Sequence, residues 1–257
     1  MDTSLNVLLP ENKHGREELH ADQKFPVLYV LHGYGDNYSS WIRKSTLEYI
    51  ARDYDVIVVM PEVNNSFYSN QSGPQYYDYL TKELPVKVAN YFPASMERKD
   101  TFIMGNSMGG YGAFMIAMNQ PAQYAAAVSF SGILGLDAED RYLLMKIPDF
   151  RKNWETSFQS AEKFHASRYD LRNATEQLDQ SDREKPALFH FCGTKDILAY
   201  EMGKDFITYA RENTSLDIRY EEIENGLHDW ATWNPYIEKA FRFFGLEKRP
   251  PTVYGDF

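Results

Sequence analysis

Thr101-Phe102-Ile103-Met104-Gly105-Asn106-Ser107-Met108-Gly109-Gly110-Tyr111-Gly112 is the stretch whose reading decides the fold. An apolar run breaks at Gly105, passes Ser107 between two glycines, and resumes as Ala113-Phe114-Met115-Ile116-Ala117-Met118, a good helix former. The pattern predicts a strand, a sharp turn and a helix, with G-x-S-x-G at the turn. Such an elbow places a serine in a strained turn that needs small neighbours, and lifts its hydroxyl above the sheet edge at a helix N-terminus. Taken alone, the five positions also fit an ordinary serine in a tight glycine turn. A reaction at Ser107 needs a base, an orienting acid and an oxyanion hole from elsewhere in the chain.

Working outward, Phe25-Pro26-Val27-Leu28-Tyr29-Val30-Leu31 and Val56-Ile57-Val58-Val59-Met60-Pro61 are continuous apolar runs, as expected of strands buried on both faces of a parallel sheet. Further strands are predicted at 125–132, 186–193 and 218–223, and Val7-Leu8-Leu9-Pro10 reads as a short edge strand. Helices are predicted over 41–52, 76–91 (with Pro85 a kink or boundary), 113–118, 198–211 and 230–244. Strands and helices alternating at these lengths mean βαβ units, helices on both faces and a mostly parallel sheet. The charged region 133–185, with Trp154 and Phe158 in a helix and no buried strand, reads as a helical insertion or lid on a single domain spanning 1–257. The connector 11–24 is charged, with His14 and His20 solvated, and the tail from Lys248 cannot be helical at Pro250 and Pro251.

Composition narrows the class. The chain has 257 residues, 43% hydrophobic and 25% charged, which is globular rather than disordered or fibrous. A net charge of -10 disfavours nucleic acid and anionic membrane surfaces as partners. The single cysteine, Cys192, excludes an intramolecular disulfide and a cysteine-rich metal site. The first residues show no basic n-region followed by an apolar run, and no 18-residue apolar segment occurs, so the expectation is a cytoplasmic enzyme without a membrane span. Aromatics make up 15% of the chain; most serve the core, and a minority near the elbow would form an acyl pocket.

Where an elbow serine sits between strand and helix, the acid and then the histidine follow it along the chain. His228, after the turn Asn225-Gly226-Leu227 and before the last helix, therefore outranks the other histidines. His190 lies inside an apolar strand, His165 in the insertion, and His32 at a glycine turn. Asp196 follows the strand 187–192 and fits the acid, ahead of Asp229, which adjoins His228 too directly, and of Asp137 or Asp140. The tetrahedral intermediate calls for two backbone NH donors. These are predicted at Met108, after the nucleophile, and at Tyr34 in the turn His32-Gly33-Tyr34-Gly35, with Gly33 in reserve. Trp41, Phe67, Tyr68, Trp230 and Trp233 lie around these points, and Trp41, Tyr68 and Trp230 are the candidate substrate-binding side chains. Trp230 and Trp233 share a helix face, which suits packing as well as a pocket.

The segments Leu31-His32-Gly33-Tyr34-Gly35-Asp36 with Trp41, Met60-Pro61 followed by Ser66-Phe67-Tyr68-Ser69-Asn70, Tyr77-Asp78-Tyr79-Leu80 with Glu83-Leu84-Pro85, Gly105 to Ala113, and Gly226-Leu227-His228-Asp229-Trp230 resemble the esterase D superfamily. The similarity runs from Phe25 to Phe244, is weakest over 133–185, and is nearest to the bacterial tributyrin esterases. S-formylglutathione hydrolases, feruloyl and acetylxylan esterases and mycolyltransferases are similar too. The resemblance implies an α/β-hydrolase fold and a serine carboxylesterase acting on short acyl esters, acetylated or feruloylated sugars among them. It also implies no cofactor, no metal, a small-molecule ester as partner, and often a homo-oligomer. Position by position, Ser107, Asp196 and His228 match the triad, and Tyr34 and Met108 the oxyanion hole. Asn106 stands where formylglutathione hydrolases usually have His, and no cysteine lies near the His32 turn. An acyltransferase or thioesterase using the same triad, and a non-catalytic binding domain, are the rival readings.

Overall fold

The computed structural model describes residues 3–10, 23–71, 73–137 and 142–250. Among the described residues, seven strands make one sheet: β1 (Leu5–Leu8), β2 (Val27–Leu31), β3 (Ile57–Pro61), β4 (Thr101–Asn106), β5 (Ala126–Phe130), β6 (Ala187–Gly193) and β7 (Ile218–Ile223). Their spatial order is β1-β3-β2-β4-β5-β6-β7. Only β1 runs antiparallel, against β3; every other pairing is parallel. The strands β2 to β5 are buried at every residue, which is why they read as unbroken apolar runs rather than alternating ones.

Helices cover both faces: α1 (Ser40–Lys44), α2 (Leu47–Ala51), α3 (Tyr76–Asp78), α4 (Leu84–Tyr91), α5 (Met108–Asn119), α6 (Pro148–Phe158), α7 (Ala161–His165), α8 (Leu171–Asp179), α9 (Tyr200–Asn213), α10 (Trp230–Trp233) and α11 (Ile237–Phe243). Alternate residues of β2 feed two apolar layers. Val27, Tyr29 and Leu31 pack with α4, α5, α8 and α9, whereas Leu28 and Val30 pack with α1, α2, α10 and α11. In α5 every residue but the last is buried, so this helix is enclosed rather than amphipathic. Phe114, Met115 and Ile116 there each gain about 1.5–3 kcal/mol on leaving water.

Three predicted helices are broken, each for a local reason. The helix over 41–52 divides at Ser45, an extended residue whose hydroxyl turns back to Trp41 O. The helix over 76–91 passes through a π turn at Tyr79–Glu83, where Leu84 N–H reaches Tyr79 O. Pro85 follows directly; lacking an N–H and crowding the preceding turn, it makes a wider turn the cheaper way to continue. The last helix is interrupted by a 3-10 turn at Asn234–Tyr236, containing Pro235. The helix expected from Leu198 starts at Tyr200 because Asp196 caps the two preceding amides.

Between β5 and β6 the described residues are helical, from a 3-10 turn at Leu143–Lys146 through α6, α7 and α8. Trp154, Phe158 and Phe164 form an aromatic knot inside this segment. α8 lies against α5 and α9, so the segment covers a sheet face as well as an end. His14, His20, Asp140 and the tail from Pro251 lie outside the described residues. Among the described residues no helix is long and apolar enough to cross a membrane.

Candidate active site

Ser107 follows the last residue of β4 and precedes α5, with φ 54° and ψ -119°. A side-chain-bearing residue in that region costs about 1–3 kcal/mol, so neighbours must hold it there. Ser107 N–H donates to Phe130 O at 2.9 Å, and its carbonyl accepts from Tyr111 N–H at 3.1 Å. The flanking glycines are steric requirements: a Cβ on Gly105 would lie 2.4 Å from Gly109 O, and one on Gly109 would lie 2.2 Å from Leu31 O. The start of α5 thus crosses the ends of β4 and β2 in direct backbone contact.

That contact brings the His32 turn to the elbow. β2 and β4 are in register with Leu31 beside Gly105, so the chain leaving β2 emerges next to Ser107. A Cβ on Gly33 would meet Ser107 Cβ at 3.5 Å and Asn106 Nδ2 at 3.0 Å. The turn closes through Asp36 N–H to Gly33 O at 3.2 Å, with Gly35 at φ 76° as a type II turn demands. Among the described residues, no hydrogen bond occupies the Tyr34 or Met108 backbone N–H. Met108 is the first residue of α5, where intrahelical acceptors do not exist.

Asp196 and His228 come from the loops after β6 and β7. These loops are zipped together by Thr194 N–H to Ile223 O and Lys195 N–H to Gly226 O, both 3.0 Å, and Asn225 N–H to Thr194 Oγ1 at 2.9 Å. His228 Nδ1 lies 2.7 Å from Asp196 Oδ2, with the Asp196 side chain fully buried and that of His228 17% exposed. Asp196 Oδ1 accepts from the backbone N–H groups of Leu198 (3.0 Å) and Ala199 (2.9 Å). Burial pushes the Asp196 carboxyl up, but hydrogen bonds and charge from His228, with Ser131 and the Ala199 amide, hold it below the usual carboxylate range. An ionised Asp196 can only accept, so Nδ1 carries the proton and Nε2 keeps its lone pair. Asp229 is occupied otherwise, capping α10 through Thr232 N–H at 2.9 Å.

The other described histidines are engaged elsewhere. His32 is buried, its Nε2 accepting from Val63 N–H at 3.3 Å and its Nδ1 2.9 Å from Gly33 O. His190 is buried within β6, with Nδ1 3.1 Å from Ser129 Oγ, and burial lowers its pKa to about 4. His165 pairs with Asp170 at 2.7 Å within the helical segment.

Two of the three candidate substrate-binding residues need correction. Trp41 and Tyr68 are 1% and 0% exposed, and a surface closed to water is closed to a substrate. They instead brace the end of β2 from the two opposite apolar layers: Trp41 Nε1 donates to Leu31 O at 3.0 Å and Tyr68 Oη to His32 O at 2.6 Å. Both aromatics share the pattern expected of pocket residues, but their polar tips are spent on backbone carbonyls. Trp230 is partly exposed and stands edge-on to Trp41 at 4.9 Å and Trp233 at 5.2 Å, while Trp233 is buried against His228. The sequence did not single out Phe150 and Asn153 of α6. Phe150 packs on the Tyr34 ring at 5.0 Å, and Asn153 Nδ2 donates to Tyr34 Oη at 2.6 Å.

Comparisons with known proteins place the chain in a family. The family model described as Putative esterase matches residues 1–244. An acetyl esterase of Caldicellulosiruptor saccharolyticus is 28% identical over 256 residues, covering 94% of this chain and 92% of that protein. Among solved structures, the Staphylococcus aureus fluorophosphonate-binding serine hydrolase FphF, with substrate bound, superposes with a TM-score of 0.82 at 30% identity, over 94% of this chain and 92% of that one. The S-formylglutathione hydrolase FrmB of the same organism gives a TM-score of 0.77 at 28% identity, with the same coverage. The chain therefore belongs to the putative esterase family, as a serine carboxylesterase on the α/β-hydrolase fold.

Proposed function

We propose that Ser107 is the nucleophile of this esterase, His228 its general base and Asp196 the acid that orients His228, with short acyl esters as substrates. The observation that carries the reading is the 2.7 Å contact between His228 Nδ1 and a buried Asp196 carboxylate, which leaves Nε2 as the basic nitrogen. His228 takes the hydroxyl proton as Ser107 Oγ bonds to the ester carbonyl carbon, and the tetrahedral oxyanion receives the Tyr34 and Met108 N–H groups. Collapse expels the alcohol, which leaves with the proton held by His228. Water then attacks the acyl-serine with the same base, releasing the carboxylic acid and regenerating Ser107. Two preorganised amides matter here, because losing one such donor typically costs about a hundred- to a thousandfold in rate. The similarity to an acetyl esterase over nearly the full chain supports a small acyl group.

The test is kcat/KM for p-nitrophenyl acetate, butyrate and octanoate beside an acetylated sugar. Acetate or butyrate should be preferred; a preference for octanoate would overturn the short-chain assignment.

A further inference from the structure

Ser131, one residue beyond β5, is fully buried and carries φ 46°, a region that suits glycine better than serine. Its amide donates to Phe191 O at 2.7 Å, which fixes the backbone there. What serine adds over glycine is a hydroxyl, and that hydroxyl lies inside the site. Trp233 Nε1 is 3.0 Å from Ser131 Oγ. An indole N–H can only donate, so Oγ is the acceptor in this bond and its own proton is free for another acceptor. Cys192 Sγ lies 3.8 Å from Ser131 Oγ and 4.0 Å from Asp196 Oδ2, so the hydroxyl, the thiol and the carboxylate share one buried cluster. Of these neighbours the carboxylate is much the strongest acceptor.

We propose that Ser131, backed by Trp233, is a positioning residue of the triad, its hydroxyl donating to the Asp196 carboxylate and setting how that carboxylate faces His228. The proposal rests on the catalytic reading of Ser107, Asp196 and His228 given above. It adds an oxygen donor to a fully buried carboxylate whose other partners are His228, the Leu198 and Ala199 amides and, weakly, the Cys192 thiol. Trp233 serves both ends of the pair, since its ring also stands edge-on to His228 at 5.1 Å and 86°. The indole bond polarises the hydroxyl and strengthens its donation to Asp196.

The remaining titratable groups near the pair lie on β6 and β7 and beside His228. Burial drives the Cys192 thiol up and lowers His190 to about 4, so neither changes charge near neutrality. Glu222 bonds Tyr200 Oη at 3.0 Å and Asp229 caps α10. The acid limb of kcat/KM therefore reports on the Asp196–His228 pair.

The experiment is the pH profile of kcat/KM for p-nitrophenyl acetate in the wild type, Ser131→Gly, Trp233→Phe and Ser107→Ala. Ser131→Gly suits the positive φ but leaves the buried Trp233 N–H without its acceptor, so the variant should still fold, with a thermal midpoint somewhat below the wild type's. Its kcat/KM should fall about tenfold, the order expected of one charge-assisted hydrogen bond. A carboxylate deprived of that donor concentrates more charge on His228, the pair holds its proton more tightly, and the acid limb should move up by about half a pH unit. Trp233→Phe should shift it the same way by less. An unmoved limb in Ser131→Gly, or a larger shift in Trp233→Phe, would overturn the proposal while leaving the triad intact. Turnover surviving Ser107→Ala would overturn the triad and this proposal with it.

Discussion

His190 makes the fold acid-sensitive in a way that can be worked out and measured. The ring is stacked on Tyr220 at 5.5 Å, and its buried Nε2 has no hydrogen-bond partner among the described residues. α9 presses on that nitrogen: a Cβ on Gly203 would lie 2.6 Å away. Protonation in the fold would bury a charge, and burial accordingly lowers the pKa from 6.5 to about 4. Above pH 6.5 both folded and unfolded chains are neutral at this site. As pH falls from 6.5 toward 4, the unfolded chain binds a proton that the folded one refuses, so stability declines. At about 1.4 kcal/mol per pH unit, the interval from 6.5 to about 4 amounts to about 3 kcal/mol. That is a large part of the 5–15 kcal/mol typical of a folded domain. Urea unfolding of the wild type and His190→Gln at pH 7 and pH 4.5 isolates the effect. Asp196 and Glu62, both held below their usual range, also lose stability on acidification, but equally in both proteins. The wild type should lose about 2.5 kcal/mol more than the variant between the two pH values. Equal losses would refute the reasoning.

Gly109→Ala would set a Cβ against two backbone oxygens, Leu31 O at 2.2 Å and His32 O at 2.8 Å, which cannot rotate away. It should cost at least about 1–3 kcal/mol in thermal unfolding and reduce ester hydrolysis at least about tenfold by prising the elbow from the His32 turn. Wild-type stability would contradict that packing. Asn153→Ala removes the partner of Tyr34 Oη and should lower kcat about three- to tenfold with little change in KM, if the Tyr34 amide serves the oxyanion as proposed. An unchanged kcat would disconnect α6 from the site.

The parallel sheet was readable because burial on both faces leaves little but Val, Ile, Leu and aromatics in strands such as Val27–Leu31 and Ile57–Pro61. The elbow was readable for a steric reason, since only glycine fits where Gly105 and Gly109 touch backbone. Ser107, Asp196 and His228 follow the parallel strands β4, β6 and β7, whose ends present those loops on one edge of the sheet. Aromatic roles were not readable: Trp41 and Tyr68 have the type and position of pocket residues, and only the partners of their polar tips reveal buttresses. Ser131 was equally silent, as a small residue in a small-residue run. Its distinction is a positive φ and a bond to Trp233, 102 positions away in the chain. Helix breaks at Ser45 and the π turn before Pro85 rest on a local hydroxyl bond and a proline that hydrophobic periodicity does not register.

The central claim is that Ser107 is the reacting atom's owner, and mass spectrometry after fluorophosphonate treatment tests it most directly. The account predicts one adduct, mapped to the peptide carrying Ser107, absent from Ser107→Ala, whose p-nitrophenyl acetate hydrolysis is also lost while its thermal unfolding is unchanged. An adduct on another residue, or ester turnover that persists in Ser107→Ala, would contradict it.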